Sequence, residues 1–243
     1  MSDFKDCILG KDKTDKFPGI DGVTPDAAGI NSAWFFGIEP GFSLKNMRDY
    51  DQGKSKSKDE EYSVEAQLNI PFNRGVFKLI GSIENHPIRH NQYKKYALQN
   101  RFFEVGSTGY VKANIYPVAA NSVGAWGGRE EQETGFASKK EYYQFCDEYR
   151  FPIILNWMKK YQPRYVVALG VTQRNKYAKA ILGKEVEFKS EKFEINGHTK
   201  IIYYYLDGSF PLFIFPHLTG GRHGLNSFDA IEFAARRLNI LTR

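Results

Sequence analysis

The stretch Ser32-Ala-Trp-Phe-Phe-Gly-Ile-Glu-Pro-Gly41 places a continuous apolar run directly before a polar turn. A strand that is covered on one face alternates apolar and polar residues, whereas a strand covered on both faces is apolar throughout. The run therefore predicts a strand over residues 32–38 that is buried on both faces and ends at Pro40-Gly41. Residues 1–31 are rich in Gly, Pro, Asp and Lys and lack periodicity, which predicts an irregular N-terminal arm.

Later apolar runs of the same kind predict the rest of the sheet. They cover residues 110–120, 164–169 and 212–216, and each is short enough to be a strand. Residues 185–206 are instead typical of an antiparallel hairpin, because the pair Asn196-Gly197 accepts positive φ angles at both turn positions.

Helices are predicted between these strands. The signals are an apolar helical spacing at 72–83, caps at Ser138, Thr172 and Ser227, and a first-turn proline at Pro152 that opens a helix to residue 161. Buried strands that alternate with helices favour a three-layer α/β/α fold with a mainly parallel central sheet. Because the chain shows no internal repeat and no second core, we expect one domain over residues 32–243.

The composition restricts the class of protein and of partner. The chain of 243 residues has a net charge of +6 and a pI near 9.1, which is compatible with a polyanionic partner. Cys7 and Cys146 provide neither a disulfide framework nor the thiolates of a four-cysteine iron–sulfur cluster. No apolar stretch approaches the roughly 20 residues that cross a bilayer, and the polar N-terminus lacks the core of a signal peptide. We therefore expect a cytoplasmic protein, with a solvated charged loop at residues 45–61.

Two polar side chains follow or lie within predicted strands, and ligands bind at the carboxyl ends of the strands in such sheets. Glu39 lies in the turn after the first strand, where loss of solvation would raise its pKa and suit it to act as a base or an electrostatic stabiliser. A cap on a helix or backbone amide is the alternative role for this carboxylate. Asn114 lies inside an apolar run, where its amide would either read the edge of a ligand or pin a loop through backbone hydrogen bonds.

The third candidate is the loop His217-Leu-Thr-Gly-Gly-Arg-His-Gly224. Backbone amides, an imidazole and the Arg222 guanidinium gathered before a helix make a good anion site. A glycine-rich turn also serves simply to reverse the chain. Because this loop directly follows a predicted strand, we favour the ligand-binding interpretation.

In their order along the chain, these segments resemble the motifs of the uracil-DNA glycosylase superfamily. Gly37-Ile-Glu-Pro-Gly41 is similar to the first motif, Gly-x-(Asp/Asn/Ala)-Pro-(Gly/Tyr), and to the Gly-x-Asn-Pro-Gly turn of the single-strand-selective and mismatch-specific branches except at Glu39. Asn114-Ile-Tyr-Pro117 is similar to the Asn-x-x-Pro of the single-strand-selective branch. Residues 165–170 resemble the Val-x-Ala-Leu-Gly strand of several branches. His217-Leu-Thr219 stands where the family has His-Pro-Ser or Asn-Pro-Ser.

The resemblance implies a uracil-DNA-glycosylase-like domain that flips a nucleotide out of DNA and hydrolyses its N-glycosidic bond. It implies that Glu39 orients the water or stabilises the sugar cation, that Asn114 reads the Watson–Crick edge of the base, and that His217 donates a hydrogen bond to O2 of the departing base. The protein would act as a monomer on DNA that contains uracil or a related damaged base. It would use no metal, cofactor or iron–sulfur cluster.

Further contacts are implied by the same resemblance. Phe42 or Tyr116 would stack on the base, and Arg222 and His223 would contact DNA.

Two other classes of function stay open. Departures from the family motifs at Glu39 and Leu218-Thr219 favour a nucleic-acid or nucleobase binding module that keeps the fold and the base pocket without hydrolysis. An unrelated α/β hydrolase or transferase is the third possibility, although the sequence contains no GxSxG, P-loop or HExxH motif.

Overall fold

The computed structural model describes residues 4–9, 17–41, 62–120 and 124–243. Within them, six strands form one sheet in the order β2-β1-β3-β6-β5-β4. The strands are β1 (Ala33–Gly37), β2 (Tyr110–Asn114), β3 (Tyr165–Leu169), β4 (Lys189–Ile195), β5 (His198–Tyr205) and β6 (Leu212–Phe215). β2, β1, β3 and β6 run parallel, and β5 lies antiparallel to both β6 and β4. The predicted α/β class with a mainly parallel sheet is confirmed.

The four parallel strands form the buried centre of the sheet. Every residue of β1, β2, β3 and β6 is buried, as the continuous apolar runs predicted. β4 lies at the edge with alternating exposed and half-buried residues, and its charged side chains discourage pairing with another chain. The predicted hairpin is confirmed, since Asn196 and Gly197 have φ angles of 54° and 70° and Ile195 pairs with His198.

Helices cover both faces of this sheet. They are α1 (Phe4–Ile8), α2 (Pro25–Ala28), α3 (Val64–Gln67), α4 (Pro71–Ile83), α5 (Gln92–Asn100), α6 (Gly128–Thr134), α7 (Lys139–Phe145), α8 (Phe151–Tyr161), α9 (Arg174–Leu182) and α10 (Phe228–Leu241). On one face, Trp34 packs against Trp157 of α8. On the other face, Phe35 packs against Phe103, which stacks on Phe77 of α4, and α10 packs on α4.

One predicted helix start is confirmed and one is wrong. The helix predicted from Pro152 to residue 161 is α8, although a π-helical segment, Cys146–Arg150, joins it to α7 without a break. The proline is tolerated in the first turn of α8, a position where its fixed φ angle and missing N–H do little harm. Thr172 is not a cap, since it lies inside a 3₁₀ turn before α9. Ser138 and Ser227 do cap α7 and α10 through their side chains, as predicted.

The N-terminal arm covers the outer edge of β2 and is only partly irregular. Besides α1 and α2, it contributes Ile20, which forms an antiparallel β-bridge with Ala113. The backbone N–H of Asn114 donates to the carbonyl of Gly19 at 2.8 Å. These bonds pair backbone groups of β2 that β1 does not reach, so the arm completes the edge of the sheet.

One inward-facing charge interrupts the apolar core of β2. Lys112 is 4% exposed, and its Nζ lies 2.9 Å from Oδ1 of Asn73 and 3.2 Å from Oε1 of Gln67. The carboxylate of Asp21, in the arm, lies 3.5 Å from the same Nζ. Burial lowers the pKa of Lys112 and raises the pKa of Asp21, while the attraction between the two groups opposes both shifts. Lys112 therefore ties the arm, α3 and α4 to β2, the edge strand beside the arm.

Lys112→Met should lower the free energy of unfolding by roughly 3 kcal/mol, because it leaves the Asp21 carboxylate and two amide oxygens buried without their cation. Lys192→Met is the matched control, since Lys192 is an exposed strand residue on β4. Urea denaturation followed by circular dichroism measures both. Equal midpoints for the two variants would show that Lys112 does not carry this role.

Candidate functional site

The carboxyl ends of the parallel strands bring the three predicted positions to one edge of the sheet. Gly37 ends β1, Asn114 ends β2, and His217 follows β6 by two residues. β2 and β6 are separated by β1 and β3, which is three strand spacings or roughly 14 Å. No hydrogen bond, ion pair or ring contact between described residues directly joins any two of Glu39, Asn114 and His217. Their convergence on one ligand therefore stays a prediction.

Asn114 lies opposite Gly37, and the two positions fit only because Gly37 has no side chain. They are paired in the register of β1 and β2, and a Cβ atom at position 37 would collide with Oδ1 of Asn114. The side chain is buried, at 6% exposure, yet its amide makes no hydrogen bond with any described residue. Among the described residues, the Asn114 side chain therefore pins no loop, which was the alternative role for it.

The Glu39 carboxylate is held by two side chains of α7. Lys139 lies 2.9 Å from its Oε2 and 3.0 Å from its Oε1, and the Tyr143 hydroxyl donates to Oε2 at 3.1 Å. Burial raises the pKa of Glu39 above its ordinary value of 4.5, although Lys139 and Tyr143 act in the opposite direction. The side chain thus accepts hydrogen bonds from α7 side chains, which differs from the helix cap considered as its alternative role.

Tyr116 is buried behind Tyr143, the residue that donates to this carboxylate. Its ring stacks on Tyr143 with centroids 3.9 Å apart, and its hydroxyl donates to Oδ1 of Asp147 at 2.7 Å. The residue is 1% exposed, so a base could stack on it only after Tyr143 had moved. Phe42, the other residue suggested for stacking, lies outside the described residues, as does the charged 45–61 stretch.

His217 lies beside the start of α4. Its ring centroid is 5.4 Å from that of Phe72, and Thr219 places its Oγ1 2.8 Å and its backbone N 3.4 Å from Nδ1. An N–H group can only donate, so Nδ1 accepts and the neutral ring carries its proton on Nε2. His217 is exposed, and the groups around it remove only part of its solvation, which lowers its pKa from 6.5 and favours this neutral form.

The rest of this loop is fastened to α4 and β5. Leu218 packs so closely on α4 that a Cβ atom at Gly75 would lie 2.7 Å from Leu218 Cβ. From β5, the buried Lys200 donates to the carbonyls of Arg222 and Gly224 at 2.8 and 2.7 Å.

The two residues of the loop that were assigned to DNA are exposed. Nδ1 of His223 lies 3.0 Å from the carbonyl of Thr199, and the side chain of Arg222 projects from the surface. Their contact with DNA stays a prediction.

Several residues of this edge were missed by the sequence analysis. Lys139 and Tyr143 are four positions apart on α7, a spacing that puts them on one helix face, but their partner Glu39 lies 100 residues from Lys139. Arg150 is fully buried and donates to the carbonyls of Asn114 and Ile115 at 3.0 and 2.9 Å. In sequence it is one of many arginines, and nothing near it indicates that role.

No protein-family model and no curated protein sequence matches this chain. Among the described helices, none is long and apolar enough to cross a bilayer. The described ranges also contain no group of three or more His, Cys, Asp or Glu side chains placed to hold a metal ion. Interpretation of the site therefore rests on the geometry of the carboxyl edge.

Gly37→Ala should displace the Asn114 amide, because the added methyl group would occupy the space of Oδ1. Gly41→Ala is the matched control, since a Cβ atom there meets nothing within 4 Å. In ¹⁵N-resolved NMR spectra, the side-chain amide resonances of Asn114 should shift in the first variant and stay in position in the second. Unchanged resonances in Gly37→Ala would mean that this contact does not fix the position of the Asn114 amide.

Proposed function

We propose that this protein is a uracil-DNA-glycosylase-like hydrolase that removes uracil or a related damaged base from DNA. The observation that carries the proposal is the Asn114 side chain, which is 6% exposed at the carboxyl edge and whose amide makes no hydrogen bond with described residues. Its N–H groups and its oxygen are therefore open to partners from a ligand. The Watson–Crick edge of uracil supplies both, as an N3–H donor beside carbonyl acceptors.

His217 has the chemistry to stabilise the departing base. When the C1′–N bond breaks, its electron pair stays on the base, and negative charge develops on the base oxygens. The N–H group at Nε2, fixed there by the Thr219 contacts to Nδ1, can donate a hydrogen bond to O2 at that moment, and the base leaves as an anion that takes its proton from solvent. Such a donor contributes most where charge develops, by about 10²–10³ in rate in comparable sites. Phe72 lies beside the imidazole and is the half-buried ring available to pack on the base.

Glu39 is assigned an electrostatic role. Both of its oxygens accept hydrogen bonds from Lys139 and Tyr143, so it is poorly placed to take a proton from water. A fixed negative charge near C1′ would still stabilise the sugar cation of the transition state. Water then adds to C1′ and releases its proton to solvent, which completes the hydrolysis.

The same ion pair favours the second candidate, a binding module that holds the base without hydrolysis. An ammonium group 2.9 Å from the carboxylate compensates the charge that a sugar cation would need. A glycosylase assay separates the two functions. Uracil released from single-stranded or duplex oligonucleotides supports the enzyme, whereas tight binding of these oligonucleotides without release supports the binding module.

Glu39→Gln keeps the size of the side chain and one of its two acceptor oxygens but removes its charge. Excision should therefore fall by orders of magnitude while oligonucleotide binding persists, because only the transition state needs that charge. Asn114→Ala should instead reduce the preference for uracil over other bases, measured as the ratio of kcat/KM values. An active wild-type protein that Glu39→Gln matches in rate would make Glu39 a structural residue.

The pH dependence of kcat/KM should also reveal the need for a charged Glu39. Glu39 acts as the ionised carboxylate, so the rate should fall as pH decreases through its pKa, which burial holds above 4.5. Protonation of His217 leaves a proton on Nε2 and should not by itself abolish the reaction. The acidic fall should be absent from the residual activity of Glu39→Gln, and its persistence there would assign it to another group.

A further inference from the structure

A cleft of about 470 Å³ opens beside the Glu39 ion pair. Its walls come from α7, from the π-helical segment and from α9. Three ammonium groups line it, those of Lys139, Lys140 and Lys176, against the single carboxylate of Asp147. Tyr143, which donates to Glu39, forms part of the same wall.

The lysines of this cleft are not equally engaged. Lys139 forms an ion pair with Glu39. Lys176 pairs with Asp147 at 2.6 Å, and its side chain is 36% exposed. Lys140 is exposed and forms no hydrogen bond or ion pair with any described residue. Because an ammonium group has three N–H donors, Lys176 can contact an incoming anion while it keeps Asp147.

The wall is shaped by an irregular backbone feature. Asp147 belongs to the π-helical segment Cys146–Arg150, and π-helical turns inside α-helices occur often at functional sites. Its two carboxylate oxygens accept from the Tyr116 hydroxyl and from Lys176. Asp147 therefore holds both Tyr116, which stacks on Tyr143, and the Lys176 side chain that lines the cleft.

Position and charge together identify the chemistry of the occupant. The cleft is one side chain away from the carboxylate that is proposed to face the sugar, since Lys139 contacts Glu39 and lines the cleft. In a nucleic-acid strand, the groups bonded to that sugar are phosphodiesters, which carry a negative charge at every physiological pH. Lysine binds such groups as a point charge.

We propose that this cleft binds the phosphodiester adjacent to the nucleotide whose base lies at Asn114, with Lys140 and Lys176 as its ligands. The inference rests on the proposed function for the location of the base, but it does not require hydrolysis. It gives the strand a contact with α7 and α9.

The test compares two double variants that remove the same charge. Lys140→Gln/Lys176→Gln removes the ligands, and Lys95→Gln/Lys159→Gln removes two exposed lysines of α5 and α8 that do not line the cleft. Affinity for a single-stranded oligonucleotide with one uracil is measured by fluorescence anisotropy over a range of salt. The cleft variant should bind roughly tenfold or more weakly, with a salt slope reduced by about 0.7 for one phosphate. The control variant should match the wild type.

A second arm locates the phosphate. Replacing a phosphate next to the uridine with an uncharged methylphosphonate, on the 5′ side in one oligonucleotide and on the 3′ side in another, should weaken binding to the wild type at one position. The same replacement should have no effect on the Lys140→Gln/Lys176→Gln variant, because the charge it removes has no partner there. Equal sensitivity of both proteins, or a cleft variant that binds like the control variant, overturns the inference.

Failure of this inference is distinguishable from failure of the proposed function. Binding that depends on Lys140 and Lys176 without uracil release would support the phosphodiester site and exclude the hydrolase. Uracil release by a cleft variant with unchanged affinity would retain the hydrolase and remove the site.

Discussion

The close pairing of β1 with β2 at Gly37 and Asn114 is the constraint on which the candidate site depends. Because position 37 has no side chain, the Asn114 amide can lie over the end of β1. The same register continues past the strands, where the N–H of Ile115 donates to Gly37 and the N–H of Tyr116 donates to Ile38. It therefore fixes the backbone directly before Glu39. One register thus positions the amide that would read a base and the turn that carries the carboxylate.

Three buried cations hold the segments that surround this edge. Lys112 binds the arm and α4 through Asp21 and Asn73, Arg150 binds backbone carbonyls at the end of β2, and Lys200 binds those of the His217 loop. Leaving a carbonyl unpaired in a buried position costs about 1–3 kcal/mol, and each long side chain satisfies two or three acceptors at once. Loops that would otherwise move are thereby held in one conformation, which a preorganised site requires.

The elements that could be predicted are those whose sequence pattern lies within a few neighbouring residues. Strands covered on both faces are apolar at most positions, and Asn196-Gly197 allows few turns other than the one observed, so the parallel sheet and the hairpin were predicted correctly. The π-helical segment before Pro152 was missed because nothing in its residue types distinguishes it from an α-helix. Of the candidate site, the sequence indicated three positions in or after apolar runs, and these lie at the carboxyl edge of the sheet. The ion pair of Glu39 with Lys139 was not, because partners far apart in sequence become neighbours only through the tertiary fold.

Lys139 connects the two proposals physically. In the free protein it compensates the Glu39 charge, and it also lines the cleft that is proposed to hold a phosphodiester. A phosphodiester in that cleft would attract Lys139 together with Lys140 and Lys176. If the contact between Lys139 and Glu39 weakens as a result, the charge of the carboxylate is less compensated while the sugar lies beside it. Coulomb energy between unit charges varies inversely with distance and rises as water is excluded, so a small displacement in a closed site has a large effect. On this reasoning, the ion pair that favours a binding module in the free protein is compatible with catalysis once a strand is bound.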